Sequence, residues 1–126
     1  MYSVKIRGHM MIAHSLPDPF FGPAQQLHGA TYITDVVFFS KILNSHNVVI
    51  DIGKAHEILT EVLAPLQYKN LDELPQFREQ LTTTEVLAKY VHDRIREKAK
   101  DFFEGSVSVT LGESHIASAT YSDDKP

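Results

Sequence analysis

The sequence contains no cysteine, no large excess of basic residues and no long hydrophobic run. The absence of cysteine excludes a disulfide framework, a cysteine-containing zinc site, a thiol nucleophile and a redox-sensing thiol. Twelve Lys and Arg against sixteen Asp and Glu give a net charge of −4, which argues against nucleic-acid or polybasic membrane binding. With neither an apolar signal core nor about eighteen consecutive apolar residues, we expect a cytoplasmic protein with no membrane association.

The length and hydrophobic content predict one domain covering residues 1–126. The chain has 43% hydrophobic residues, and a chain of this size buries roughly two-thirds of its unfolded surface, enough for one core. No cleft between domains is therefore available. We expect any site to lie within the fold or between subunits and to bind a small molecule or a protein.

The residue pattern predicts an α+β domain with an antiparallel sheet and both helices on one face. Alternating and β-branched runs predict strands, apolar residues at helical spacing predict helices, and a segment rich in proline and glycine predicts a long loop. In chain order we expect a strand at 2–13, a loop at 15–29, a hairpin of 31–40 with 47–51, helices at 52–66 and from 82 through 102, a hairpin of 106–111 with 116–121, and a frayed tail at 122–126.

Two local patterns add detail to this prediction. Thr82 and Glu85 have the spacing of a capping box, which would start the second helix. Apolar side chains on both faces of the second strand, at Val36 and Phe38 and again at Val37, predict that a second sheet or subunit covers the face away from the helices. We therefore expect an oligomer.

Seven histidines occur in the chain, and their contexts differ. His46, His56 and His92 are interpreted as surface or half-buried residues. His14 and His28 flank the long loop at the ends of neighbouring strands, where two imidazoles could form half of a metal site. Alternatively, both rings bond backbone carbonyls and stabilise the loop.

Glu113 lies in the predicted closing turn, two residues before His115. A carboxylate at the mouth of a sheet can accept two hydrogen bonds from the N–H groups of a guanine-type ring. The alternative is a solvated turn glutamate. If the backbone is extended here, His115 lies on the same face as Glu113.

Six segments, in order and with matching spacing, resemble the 6-pyruvoyl-tetrahydropterin synthase and 6-carboxytetrahydropterin synthase family. They are MIAHSL (11–16), AQQLHGATY (24–32), VVIDIG (48–53), LQYKNL (66–71), TTTEVLA (82–88) and LGESHIASATY (111–121). The resemblance implies the tunnelling fold (T-fold), in which a four-stranded antiparallel sheet and two helices join between subunits into a barrel. It also implies a homohexamer with a site at subunit junctions, where a glutamate holds a pterin ring and zinc polarises the side chain.

The resemblance carries residue roles onto matching positions. His14 and His28 match the first two zinc histidines, and Glu113 matches the carboxylate that anchors the pterin. Thr83 and Glu85 match the helix start close to the ring. The implied activity is that of a lyase, which removes triphosphate from dihydroneopterin triphosphate and rearranges or cleaves the remaining side chain.

The chain departs from the family pattern at four positions inside that site. Ala30 replaces the third zinc histidine, Ala24 replaces the catalytic cysteine, and Gln67 and Tyr68 replace an Asp-His pair. These losses leave the third zinc ligand and the proton donor to be supplied by other residues.

His115 is the first candidate for the third ligand and His9 the second. His9 lies five positions before His14, which places the two side chains on opposite faces of a regular strand. Tyr68 and His115 are the candidate proton donors, and a phenol suits an acid or orienting role better than that of a base.

Three functions follow from this pattern. The first is a zinc-dependent pterin lyase with altered chemistry. The second is a non-catalytic module that binds a pterin or purine through Glu113. The third is an assembly scaffold with an empty pocket.

Overall fold

The fold is a four-stranded antiparallel sheet with two α-helices packed on one face, seen in a computed structural model that describes residues 1–123. The strand order is β1-β2-β3-β4. The predicted α+β class, four-stranded antiparallel sheet and pair of helices are confirmed. In chain order the elements are β1 (Tyr2–His14), β2 (His28–Ser40), α1 (Ile52–Leu63), α2 (Thr84–Ala99), β3 (Ser106–Ser114) and β4 (Ala117–Ser122).

Strands β1 and β2 pair along their whole length, from Tyr2 opposite Ser40 to His14 opposite His28. β2 therefore begins earlier than the predicted Thr31, and the intervening loop is shorter than expected. A 3₁₀ segment, Pro19–Gln25, fills part of that loop, and the Asp18 side chain caps it by accepting from the Phe20 N–H.

The predicted hairpin partner at 47–51 is wrong, because this segment forms no strand among the described residues. The Asn44 side chain accepts hydrogen bonds from the N–H groups of His46 and Val48 and holds the segment in a turn. Asp51 then caps α1 by accepting from the Lys54 N–H. Local side-chain bonds to the backbone outcompete strand pairing here.

Both helices differ from their predicted limits. α1 ends at Leu63 rather than Leu66, shortly before Pro65, which has no N–H to continue the helical hydrogen bonds. α2 is capped by Thr83, whose hydroxyl accepts from the Val86 N–H, so Thr82 is not the cap that we predicted. The helix ends at Ala99, and Phe102 lies beyond it, 42% exposed.

The core lies between the helices and one face of the sheet. α1 packs on β1, and α2 packs on β3 and β4. The even-numbered residues of β2 from Tyr32 to Phe38 are buried, whereas Val37 and Phe39 on the other face are partly exposed. No helix in the described part of the chain is long and apolar enough to cross a membrane.

The closing hairpin differs from its prediction around Glu113. β3 continues to Ser114, so Glu113 lies in a strand and not in the turn. The register between β3 and β4 shifts between Gly112 and Ser114, which makes Glu113 the extra residue of a bulge. Part of the tail that we predicted to fray is ordered, since Asp123 accepts from the Val107 N–H; residues 124–126 lie outside the described residues.

Candidate functional site

Two histidines meet at one end of the sheet. His14 is the last residue of β1 and His28 the first of β2, and the two are register partners. Their ring centroids lie 4.7 Å apart with the rings edge to face. The structure therefore brings together the two histidines that the sequence singled out on either side of the loop.

Each of these rings is held through its Nδ1 atom. The Nδ1 of His14 is 2.9 Å from the hydroxyl of buried Thr82, and the Nδ1 of His28 is 2.8 Å from the carbonyl oxygen of Gln26. Within residues 1–123, no hydrogen bond involves the Nε2 atom of either ring. For His28, the contact with the Gln26 carbonyl is the one expected if the ring stabilises the loop. This contact leaves the Nε2 atom of His28 available to another partner.

Burial lowers the pKa of His14, and the neighbouring His28 lowers it further. A hydrogen bond with the backbone of Thr82 and the carboxylates of Asp72 and Glu113 act in the opposite direction but do not reverse the shift. His14 is 2% exposed. The neutral imidazole is thus favoured at this position relative to a histidine in water.

Glu113 reaches the same end of the sheet from β3. The Thr84 hydroxyl, in the first turn of α2, lies 3.5 Å from the Glu113 Oε2 atom and donates to it. Tyr32, buried on β2, forms a hydrogen bond with Thr84. Burial raises the pKa of Tyr32, with a further increase from Glu113 and Glu85. The hydrogen bond with Thr84 lowers this pKa but does not reverse the shift.

Glu113 itself is exposed, although its neighbours Tyr32 and Thr84 are buried. An exposed carboxylate held beside buried hydroxyl groups can meet a ligand from solvent without a prior rearrangement of the core. The charge of Glu113 acts to raise the pKa of the His14 imidazole, which links Glu113 to the histidine pair. Glu113, His14 and His28 thus line one end of the sheet.

The start of α2 supplies the other two predicted binding residues. Thr83 uses a lone pair to cap the helix, and its hydroxyl proton stays available for a second partner. Glu85 is exposed in the first turn and close enough to Tyr32 to affect its pKa. Both residues flank Thr84, which contacts Glu113.

The other candidate metal ligands do not join the histidine pair. His9 is exposed on the opposite face of β1, with its ring near Asp35. His115 lies in the exposed turn between β3 and β4. Ala30, the residue at the third family position, has no donor atom, and no group of three or more His, Asp or Glu side chains suited to a metal is found in residues 1–123.

A catalytic zinc site needs three protein ligands. Two imidazoles, from His14 and His28, do not meet that requirement. The donor set of this chain therefore does not fit a zinc ion held in the family manner.

The two residues at the Asp-His position lie along the edge of β1. Gln67 bonds that edge twice: its Oε1 accepts from the Met11 N–H at 3.1 Å, and its Nε2 donates to the His9 carbonyl at 2.6 Å. The Tyr68 N–H donates to the Met11 carbonyl at 2.7 Å, and its backbone has a positive φ of 59°. The Tyr68 side chain is 79% exposed and lines a cavity of about 520 Å³ together with Ala30.

Sequence reasoning missed three residues of this site: Tyr32, Thr82 and Thr84. Strand alternation placed Tyr32 on the face of His28, which is a usable signal. The run of three threonines before Glu85 offered a cap, but only the packing of α2 against the sheet shows which hydroxyl meets His14 and which meets Glu113.

Solved structures share this fold. The 6-pyruvoyl tetrahydropterin synthase of Caenorhabditis elegans superposes with a TM-score of 0.85 at 20% identity, covering 98% of this chain and 96% of its own. A catalytic-residue mutant of Plasmodium vivax 6-pyruvoyltetrahydropterin synthase gives a TM-score of 0.78 at 17% identity, covering 97% of both chains. At these identities, the likeness establishes the fold.

The sequence comparisons establish the family. Residues 3–124 match the model of the 6-pyruvoyl tetrahydropterin synthase family. The 6-pyruvoyl tetrahydrobiopterin synthase of Dictyostelium discoideum is 30% identical over 84 residues, which are 65% of this chain and 62% of that relative. The chain belongs to the 6-pyruvoyl tetrahydropterin synthase family, and the resemblance seen in its six segments is confirmed.

Proposed function

We propose that this chain binds a pterin through Glu113 and acts as a lyase on dihydroneopterin triphosphate or a related pterin, with chemistry altered from the family pattern. Family membership and fold support a pterin-related, lyase-type function. The observation that carries the proposal is the exposed Glu113 carboxylate, held beside Thr84 at the end of the sheet that also holds His14 and His28.

The ring would bind at Glu113. Thr84 donates to one carboxylate oxygen, so the second oxygen is free to accept from the ligand. A pterin presents adjacent N–H and amino groups, which match the paired acceptor sites of a carboxylate. Hydrogen bonds to an ionised group contribute about 1.5 to 3 kcal/mol each.

The side chain of the ligand would then lie towards the histidine pair. The Nε2 atoms of His14 and His28 are the nitrogens available there. Tyr68 and His115 are proposed as proton donors, Tyr68 from beside Ala30 and His115 from the exposed turn. The resemblance implies that zinc would acidify the hydroxyl groups of the ligand's side chain. Because only two of the three family zinc ligands remain in this chain, no step of this proposal depends on zinc.

The alternative is a non-catalytic module that binds a pterin or purine. The loss of the family's cysteine and Asp-His pair favours this alternative, since Gln67 is committed to holding the edge of β1. Binding through Glu113 is common to both functions. Turnover of dihydroneopterin triphosphate separates them.

We also propose a cytoplasmic homo-oligomer, a hexamer as the resemblance implies, with no nucleic-acid or membrane partner. The partly exposed Val37 and Phe39 on the face away from the helices support association of sheets between subunits. Sedimentation velocity would test the hexamer.

The binding proposal is tested with Glu113→Gln, by titrating a pterin and measuring heat or fluorescence. We expect a loss of affinity of about 10- to 100-fold, because the neutral amide loses a charged acceptor and offers only one oxygen. The matched control is Glu104→Gln, an exposed carboxylate outside the strands and helices. Equal affinity of Glu113→Gln and the native chain would contradict the proposal.

A further inference from the structure

We infer that His14 and His28 contact the polar side chain of the ligand directly, as hydrogen-bond partners through their Nε2 atoms, and do not form the site of a resident zinc ion. The inference rests on the proposed function for the identity of the ligand, a pterin with a hydroxylated side chain. It does not rest on that function for its statement about zinc.

The number of donor atoms is the first argument. The histidine pair offers two nitrogens, and the residue that follows on the same face, two positions after His28, is Ala30. His9 is on the opposite face of β1, and His115 is in an exposed turn. Two imidazoles bind zinc much more weakly than the three-ligand set of catalytic sites.

The hydrogen bonds of the two rings are the second argument. A carbonyl oxygen can only accept, so the contact with Gln26 requires the proton of His28 on Nδ1. In the neutral ring, Nε2 is then an acceptor. The ring of His14 is likewise held through Nδ1, by Thr82, which directs its second nitrogen away from that helix start. The Thr82 hydroxyl can donate or accept, so the Nε2 of His14 can do either, and a ligand hydroxyl group can serve both rings.

The position of Ala30 is the third argument. Ala30 is partly buried and lies opposite Ile12, its register partner. An imidazole placed there would share the face of His14 and His28, because residues 28 and 30 lie two apart on one strand.

The zinc statement is tested by metal analysis of three proteins after loading with zinc and dialysis against a weak chelator. We expect trace zinc in the native chain and stoichiometric zinc in Ala30→His. The matched control is Thr31→His, which adds a histidine on the opposite, exposed face of β2 and should retain only trace metal. Stoichiometric zinc in the native chain would overturn the inference, whether or not any pterin binds.

A second measurement keeps the inference testable if Ala30→His does not fold. Pterins with and without a hydroxylated side chain are titrated into the native chain and His28→Ala, with and without a strong chelator. We expect His28→Ala to weaken only the hydroxylated pterin, by about five- to tenfold for one hydrogen bond, and the chelator to have no effect. Chelator-sensitive binding, or equal weakening of both pterins, would contradict direct contact. Failure of both pterins to bind the native chain would instead contradict the proposed function and leave the zinc result standing.

Discussion

Within residues 1–123, two histidines are buried, and their surroundings differ in kind. His14, 2% exposed, contacts the neutral hydroxyl of Thr82 and the ring of His28. His92, 4% exposed on α2, lies between two carboxylates, 3.0 Å from Asp93 through Nδ1 and 3.2 Å from Asp123 through Nε2. Both nitrogens of His92 are used, whereas the Nε2 of His14 is open.

The difference shows what each histidine is suited to do. His92 ties α2 to the end of β4, because Asp123 also accepts from Arg96 at 3.2 Å and Tyr121 packs its ring against the imidazole at 4.7 Å. A buried ring with both nitrogens satisfied is a structural element. A buried ring with one nitrogen open, at the end of a sheet, is suited to contact a ligand.

The largest expected effect is on stability, from His92→Ala. The substitution leaves a cavity and removes a partner from both Asp93 and Asp123, so we expect a loss of about 3 kcal/mol in the free energy of unfolding. Pterin affinity should not change. Urea denaturation measures the effect, with His56→Ala, an exposed residue of α1, as a control that should change stability by less than about 0.5 kcal/mol. A loss below about 1 kcal/mol would contradict the structural role.

A smaller effect on stability is expected from Thr82→Val. The valine has a similar shape but leaves the Nδ1 of buried His14 without its partner, which costs about 1 to 2 kcal/mol. Unlike His92→Ala, it should also weaken pterin binding, because the His14 ring is no longer held. Thr31→Val, on the exposed face of β2, is the control. Unchanged pterin affinity would show that the ring does not need this bond.

The pH dependence of stability should distinguish His14 from exposed histidines. Because burial lowers its pKa, the unfolded chain takes up the proton first as pH falls below the ordinary value of about 6.5. The contribution of His14 is therefore complete at neutral pH and is lost towards lower pH. We expect a shallower fall in unfolding free energy between pH 7.5 and 5 for His14→Gln than for the native chain. His46→Gln, in an exposed turn, should follow the native curve; matching curves for all three would contradict this prediction.

The smallest expected effect is the coupling between the two sites. His14 and His92 share no hydrogen-bond partner in residues 1–123. The double variant Thr82→Val/His92→Ala should therefore lose the sum of the two single losses, to within about 0.5 kcal/mol. A larger interaction energy in this cycle would show that the two regions unfold as one unit.

Several features could be predicted from residue patterns alone. Alternation gave the faces of β2, and the approach of His14 to His28 followed from two strand ends on either side of a loop. The failures share a cause. At 47–51 the β-branched residues favoured a strand, but the side chains of Asn44 and Asp51 bond the backbone into a turn and a helix cap.

The candidate site was predicted in outline by its chemistry. His14, His28 and Glu113 were found as residue types in suitable positions, and the structure brings them to one end of the sheet. Gln67 was interpreted as a replaced catalytic residue, yet its side chain holds the edge of β1 through two hydrogen bonds. No local pattern shows a bond to a strand so distant along the chain.

The sequence by itself determined the family, the α+β class and the residues that can carry chemistry, because these depend on residue type, order and spacing. The tertiary structure decided which of three adjacent threonines caps α2, which holds His14 and which holds Glu113. It also decided that both ring nitrogens of His92 have partners, whereas the Nε2 of His14 has none among residues 1–123. The physical reason is that a hydrogen bond needs its partner within about 3 Å, and only the packing of α2 on the sheet brings those partners together.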